Sequence, residues 1–222
     1  MQKVKVIEIH ESVFHSNDIE AEALRHELKE QGVFMINVMS SPGSGKTTAL
    51  SKLINMMKDE IRIGVMDVDI ETSLDAQKVA DLTGVRALQI HNGGLCHIDA
   101  EMTTKAVHEF GVDNLDLLFL ENIGNLVCPA EFDTGAHKSM MILSVPEGDD
   151  KPLKYPLMFS VCDLVLISKM DTMDFFDFDM EQAKANILRL NPNATILPIS
   201  AKTGEGMDAL ASWIKAQMAD QK

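Results

Sequence analysis

The sequence predicts an α/β fold: one doubly wound, mostly parallel sheet with helices on both faces. Two observations carry that prediction. Apolar runs and helix-patterned segments alternate at about 10–20-residue spacing along most of the chain. The run Val33-Phe34-Met35-Ile36-Asn37-Val38-Met39 is apolar enough for a strand buried on both faces, and it enters a glycine loop followed directly by helix formers.

The elements follow in order. Val4 to Ile9 alternates weakly and reads as an arm or short strand. Ser16-Asn17-Asp18 is an N-cap cluster opening a polar helix to about Gln31, with Gly32 as its stop and a place outside the main sheet. Residues 1–31 are thus expected to form an arm and helix packed on a core domain of residues 32–222. After the strand at 33–39, a helix is expected from Lys46 to Met57 and a strand from Ile61 to Asp69. A helix from Ser73 to Leu82, a strand from Val85 to Ile90 and a helix from Ile98 to Phe110 come next. Further strands are expected at Leu115–Glu121, Met140–Val145, Asp163–Ser168 and Ala194–Ile199, with helices at Met180–Leu190 and Asp208–Met218. The stretch 122–156, rich in Gly, Pro, Asp and Lys, is least regular and predicts mobile loops beside a ligand.

Composition narrows the function. The chain has 222 residues, 45% of them apolar, enough for one α/β domain with a substantial core; its 15 methionines suit gap-filling in that core. The net charge of −14 disfavours nucleic acid and anionic membrane as partners. Three cysteines, Cys96, Cys128 and Cys162, are too few for a disulfide framework and point to a reducing compartment. Residues 1–12 lack the apolar core of a signal peptide and no run approaches membrane-spanning length, so a cytoplasmic location is expected.

The loop Ser40-Ser41-Pro42-Gly43-Ser44-Gly45-Lys46-Thr47, followed by Thr48, is a Walker A arrangement with Ser40 in place of the usual Gly. Its glycines let backbone N–H groups turn toward phosphate oxygens. Lys46 would reach the β- and γ-phosphates, and the Thr47 hydroxyl would bind Mg²⁺. In such a sheet the ligand lies beyond the carboxyl ends of the strands. There stand Asp67, Asp69 and Asp75 after one strand and Glu121 after another. Asp69, Asp75 and Glu121 are the favoured metal- or water-positioning acids. Asp67 shares a face with Asp69, and helix capping is the plain alternative for any one of them.

Ser168-Lys169-Met170-Asp171 follows a strand, as the Asn/Thr-Lys-x-Asp tetrad of GTPases does. The Asp171 carboxylate can accept from guanine N1–H and the 2-amino group, neither of which adenine offers. The Lys169 stem can lie along the purine. Ser168 departs from the commoner Asn. Ser200-Ala201-Lys202, after the last strand, matches the segment whose backbone N–H meets guanine O6. Cys96-His97 and Cys128 lie in loops beside the nucleotide end and suit Ni²⁺ or Zn²⁺. One ligand short of a closed tetrahedron, that set is either open or completed by a second subunit. Cys162, in an apolar run, reads as a buried thiol.

Together these segments resemble the HypB family, the hydrogenase nickel-incorporation GTPases of the SIMIBI class of P-loop NTPases. The resemblance runs from about Val33 to the C-terminus and rests on SSPGSGKTT (40–48), DIETSLDA (69–76), GLCHIDA (94–100), ENIGNLVCPAEFD (121–133), SVPEGDDKPLKYP (144–156) and SKMD (168–171). It implies GTP hydrolysis coupled to nickel delivery to the large-subunit precursor of a [NiFe] hydrogenase. It also implies nucleotide- and metal-dependent homodimers with Cys96, His97 and Cys128 at the interface, and a nickel-delivery accessory protein as partner. Some members carry an N-terminal Cys-x-x-Cys-Gly-Cys site or a histidine-rich tract; no Cys precedes Cys96 here, and Val68 replaces the common Gly before Asp69. The rival readings are a urease-type nickel-insertion GTPase, a metal carrier using GTP only as a dimerisation switch, and a P-loop small-molecule kinase. The last ranks low because Arg189 is the only arginine after Arg86.

Overall fold

The structure is a computed structural model that describes residues 10–69 and 74–221. Its elements are α1 (His10–Glu30), β1 (Phe34–Ser40), α2 (Lys46–Met57), β2 (Ile63–Val68), α3 (Leu74–Thr83), β3 (Arg86–Ile90), α4 (Ala100–Phe110) and β4 (Leu117–Gly124). There follow β5 (Lys138–Ser144), α5 (Lys151–Lys154), α6 (Pro156–Ser160), β6 (Leu164–Ser168), α7 (Met180–Leu190), β7 (Thr195–Pro198) and α8 (Met207–Gln221). The seven strands form one sheet in the order β3-β2-β4-β1-β5-β6-β7, and every pairing is parallel.

Alternation along β1 divides the core between the two faces. Phe34, Ile36 and Val38 face a cluster with Leu50, Leu53, Ile54 and Met57 of α2 and Leu210 and Ile214 of α8. On the other face Met35 packs with Leu24 and Leu28 of α1 and Val107 and Phe110 of α4, while Met39 packs with Met158 and Phe159 of α6 and Ile187 of α7. Each such side chain, withdrawn from water, contributes about 1.5–3 kcal/mol. Within β1 the buried polar side chain before the terminal Ser40 is Asn37, whose Oδ1 accepts from Asn122 Nδ2 at 3.0 Å.

Two expectations change, and others fall outside the described residues. The expected arm or strand at 4–9 lies outside the described residues, as do Ile70 to Ser73, where a helix cap was placed. The first helix already includes His10, and Asn17 does not cap it. Its Oδ1 accepts from Ala100 N–H at 2.9 Å and its Nδ2 donates to the Asp133 carbonyl, so its side chain clips α1 to the front of α4. The stretch 122–156 is only partly loop: 125–127 and 131–137 carry no helix or strand, and regular elements occupy much of the rest. β4 continues to Gly124, a 3₁₀ turn spans Cys128–Ala130, and a capping box joins Ser144 to Glu147 before α5. Proline at the head of each short helix and turn supplies the composition that looked like loop.

Candidate functional site

The glycine loop turns at the carboxyl end of β1 with Gly43 and Gly45 at φ 75° and 94°, values that favour glycine. Gly45 stands before α2 and offers no side-chain cap, so the first-turn N–H groups face outward for an anion. Lys46, Thr47, Thr48, Asp75 and Lys78 line a 380 Å³ hollow over this loop. Ser40, buried at the end of β1, donates its hydroxyl to the Ser41 carbonyl at 2.9 Å.

Glu121 lies beneath the hollow. Its Oε1 accepts from Thr47 Oγ1 at 2.8 Å and stands 3.8 Å from Lys46 Nζ, while Oε2 is buried without a partner. Burial raises its pKa against the pull of Lys46. Register places Asp67 directly beside it on β2. Asp67 is 3% exposed, its Oδ2 is unpartnered, and burial followed by the Glu121 charge pushes it up to about 7. Two orphaned carboxylate oxygens next to a threonine hydroxyl form the oxygen donor set that a magnesium ion takes. Asp75 borders the hollow from α3, and Asp69 follows β2, donating its backbone N–H to the Ile90 carbonyl.

A contiguous 220 Å³ hollow is bounded by Ser44, Gly45, Lys169, Asp171, Ala201 and Lys202. Lys169, at φ 60°, extends across the loop to donate to the Gly43 carbonyl at 2.7 Å. Ser168 is shorter than the Asn expected there, yet its hydroxyl still donates to the Ser44 carbonyl at 3.0 Å. Asp171 Oδ1 accepts from Ser200 Oγ at 2.7 Å and Oδ2 stands 3.6 Å from Lys202 Nζ. The Ser200 bond, with Lys202 assisting, holds the Asp171 carboxyl below the usual range. Larger hollows of 440 and 600 Å³ lie elsewhere and contain none of the loop residues.

The thiols of Cys96 and Cys128, 32 positions apart in sequence, meet at 2.7 Å with Cys96 donating. That bond raises the Cys96 pKa. His97 Nδ1 is 3.9 Å from Cys96 Sγ, and its ring stacks on Phe132 with centroids 3.9 Å apart. Among the described residues no three His, Cys, Asp or Glu side chains close around a single point, so one chain offers a thiol pair with an adjacent imidazole. Cys162 is buried and donates to the Met158 carbonyl. The sequence reading passed over Asp67 in favour of Asp69. Lys78, in the hollow over the glycine loop, and the close approach of Gly124 to Pro42, where an added Cβ would stand 3.0 Å from Pro42 Cγ, are absent from the sequence reading. No local signal marks Asp67, because its place beside Glu121 is set by the β2–β4 register.

Residues 34–198 match the family model described as CobW/HypB/UreG, nucleotide-binding domain. Relatives extend the match to the full chain. A hydrogenase maturation factor HypB of Rhizobium leguminosarum bv. viciae is 43% identical over 99% of this chain and 73% of its own length.

The chain belongs to the HypB family.

A second HypB relative, from Helicobacter hepaticus, is named a hydrogenase/urease maturation factor and is 41% identical over 97% of this chain and 89% of its own length. The crystal structure of HypB from Helicobacter pylori in complex with nickel superposes with a TM-score of 0.86 at 38% identity, covering 92% of this chain and 96% of that one. No described helix is long and apolar enough to cross a membrane.

Proposed function

We propose that this HypB-family chain is a GTP-hydrolysing metallochaperone. It binds nickel, or zinc, through Cys96, His97 and Cys128 at a homodimer interface and assists nickel insertion into the large-subunit precursor of a [NiFe] hydrogenase. Residues 32–222 form the nucleotide-dependent unit and the α1 helix packs on it, with an accessory nickel-delivery protein as partner and the cytoplasm as location.

In this reading the backbone N–H groups of Gly43 to Thr48, carried past Pro42, cradle the phosphates and Lys46 neutralises the transferring group. Thr47, Glu121 and Asp67, with Asp69 and Asp75, would hold a magnesium ion or its water ligands, which would supply positive charge beside the phosphates. Asp171 accepts from the guanine edge, Lys169 covers its face, and the Ser200-Ala201-Lys202 backbone meets O6.

One observation carries the coupling. Glu121, bonded to Thr47, and Cys128, against Cys96, lie seven residues apart on one segment. A nucleotide that takes the Thr47 hydroxyl would change the hold on Glu121 and, through that segment, the thiol pair. The test measures nickel affinity of the full chain with GDP and with a non-hydrolysable GTP analogue. Different affinities support the coupling; equal affinities overturn it. The name of the Helicobacter hepaticus relative supports a second reading in which urease is also served. A carrier that uses GTP only as a dimerisation switch would transfer nickel with the analogue as well as with GTP.

A further inference from the structure

Between β4 and the 3₁₀ turn at Cys128–Ala130, the Asn125 side chain spans two backbones. Its Nδ2 donates to the Cys96 carbonyl at 3.3 Å, and its Oδ1 accepts from Val127 N–H at 2.9 Å. The first bond crosses to the β3–α4 loop; the second stays on its own segment, one residue before Cys128. A second asparagine braces the far side of that loop. Asn92 Nδ2 donates to the carbonyls of Leu95 and His97, which flank Cys96. Asn92 therefore shapes the loop within itself, whereas Asn125 is the side chain that joins the Cys96 backbone to the Cys128 segment. Among the described residues no backbone hydrogen bond outside the regular helices and strands joins the two segments.

We propose that Asn125 is a positioning residue for the thiol pair, holding the Cys96 loop in register with the segment that carries Cys128. This rests on the proposed role of Cys96 and Cys128 in binding metal. Both Asn125 bonds are to backbone, so they fix the Cα positions of the two cysteines and leave the sulfurs free to turn toward an ion. Partners that orient metal ligands in this way typically carry about 10–100-fold of metal affinity when removed.

The test uses Asn125→Asp, which is isosteric, keeps an acceptor for Val127 N–H and loses the donor to the Cys96 carbonyl. Asn125→Ala, which loses both bonds, accompanies it. Two measurements are made on the full-length proteins. The first is Ni²⁺ affinity, with the nickel–thiolate charge-transfer absorption as its signature. The second needs no metal: the rate at which diamide joins Cys96 to Cys128. In that reaction both thiols lose their protons and two electrons pass to diamide, which is reduced to the hydrazine as the S–S bond forms. GDP affinity and melting temperature serve as folding controls.

Asn125→Asp is expected to weaken nickel binding at least about tenfold and slow the disulfide about tenfold, with GDP affinity unchanged. Wild-type rates for both variants in the diamide reaction, with unchanged nickel spectra, would overturn the positioning role. If the wild-type chain shows no thiolate band with Ni²⁺, the metal reading fails separately, and the diamide rates still decide whether Asn125 aligns the thiols. If Asn125→Ala proves unstable, the Asn125→Asp comparison decides alone.

Discussion

Replacing Asp171 by Asn exchanges one carboxylate oxygen for an amide nitrogen in the 220 Å³ hollow beside the P-loop. The side chain is 16% exposed, so water screens its interactions only in part. Oδ1 is already pinned by the Ser200 hydroxyl at 2.7 Å, a bond the Asn oxygen keeps, and the amide NH₂ then falls on the Oδ2 side toward Lys202. Guanine presents two donors, N1–H and the 2-amino group. The carboxylate accepts both; the amide accepts one and opposes the other donor to donor. Losing a charge-assisted bond is worth about ten- to a hundredfold, and the unpaired amino group adds about another tenfold. GDP affinity should therefore fall about a hundred- to a thousandfold. Xanthine carries an oxygen where guanine has the amino group, which the new NH₂ can meet, so XDP should gain on GDP by a similar factor. Competition of GDP, XDP and ADP against a fluorescent guanine nucleotide measures all three. If GDP keeps its affinity and its preference over ADP, Asp171 does not read the base.

Three other perturbations probe separate parts of the argument. Gly124→Ala places a Cβ 3.0–3.2 Å from Pro42 Cγ, N and Cα, so the P-loop must shift by a few tenths of an ångström; GDP affinity should drop roughly tenfold by calorimetry, and an unchanged value would remove the proposed contact between loop and segment. Asp67, with its carboxyl pushed up to about 7 from 3.8, keeps a proton in the folded chain between those pH values that the unfolded chain has released, so it costs stability progressively as the pH rises through that window. Asp67→Asn should raise nucleotide-free stability at pH 8 by about 1–3 kcal/mol relative to wild type, with little difference at pH 4, in denaturant melts across that range. Cys128→Ser, which leaves Cys96 as the remaining thiolate, should weaken the nickel–thiolate band and leave GDP affinity intact, whereas loss of both would mean that the substitution disturbs the fold.

Much of this fold was legible because its signals are local. The bounds of α2 and α7 follow from Lys46 after Gly45 and from Asp179 capping onto Gln182 N–H. The strands were visible as apolar runs because helices cover both faces of the sheet and leave few polar positions along them. What escaped depends on register or on distant partners. Asn17 looked like a cap because Ser-Asn-Asp usually is one, yet Ala100, 83 positions on, takes its oxygen. The sequence favours Asp69 over Asp67, and only the parallel pairing sets Asp67 opposite Glu121. The thiols were candidates by type, but nothing local says that a loop at 96 and a turn at 128 meet at 2.7 Å. The short helices α5 and α6 have four and five residues, below the length at which periodicity can be read.

The segment from 121 to 128 touches the P-loop region at two positions and the Cys96 loop at two more. Glu121 holds the Thr47 hydroxyl, Gly124 lies against Pro42, Asn125 reaches the Cys96 carbonyl, and Cys128 meets the Cys96 thiol. Up to Glu121 the strand cannot absorb a change by bending, because β4 is paired on both sides, to β1 and β2; beyond Glu121 only β1 pairs with it, through an irregular register at Gly124. The change must pass into the residues after Gly124, where the sheet no longer holds the chain. Coupling free energies between sites run at about 1–3 kcal/mol, so the two nucleotide states should differ about 5- to 150-fold in metal affinity. Reciprocity then fixes a second measurement: nickel must shift the ratio of GTP-analogue to GDP affinity by the same factor. A nickel-induced shift that differs from the nucleotide-induced one beyond error would mean that the two experiments compare different assembly states, and the coupling would have to be sought in dimerisation instead of along β4.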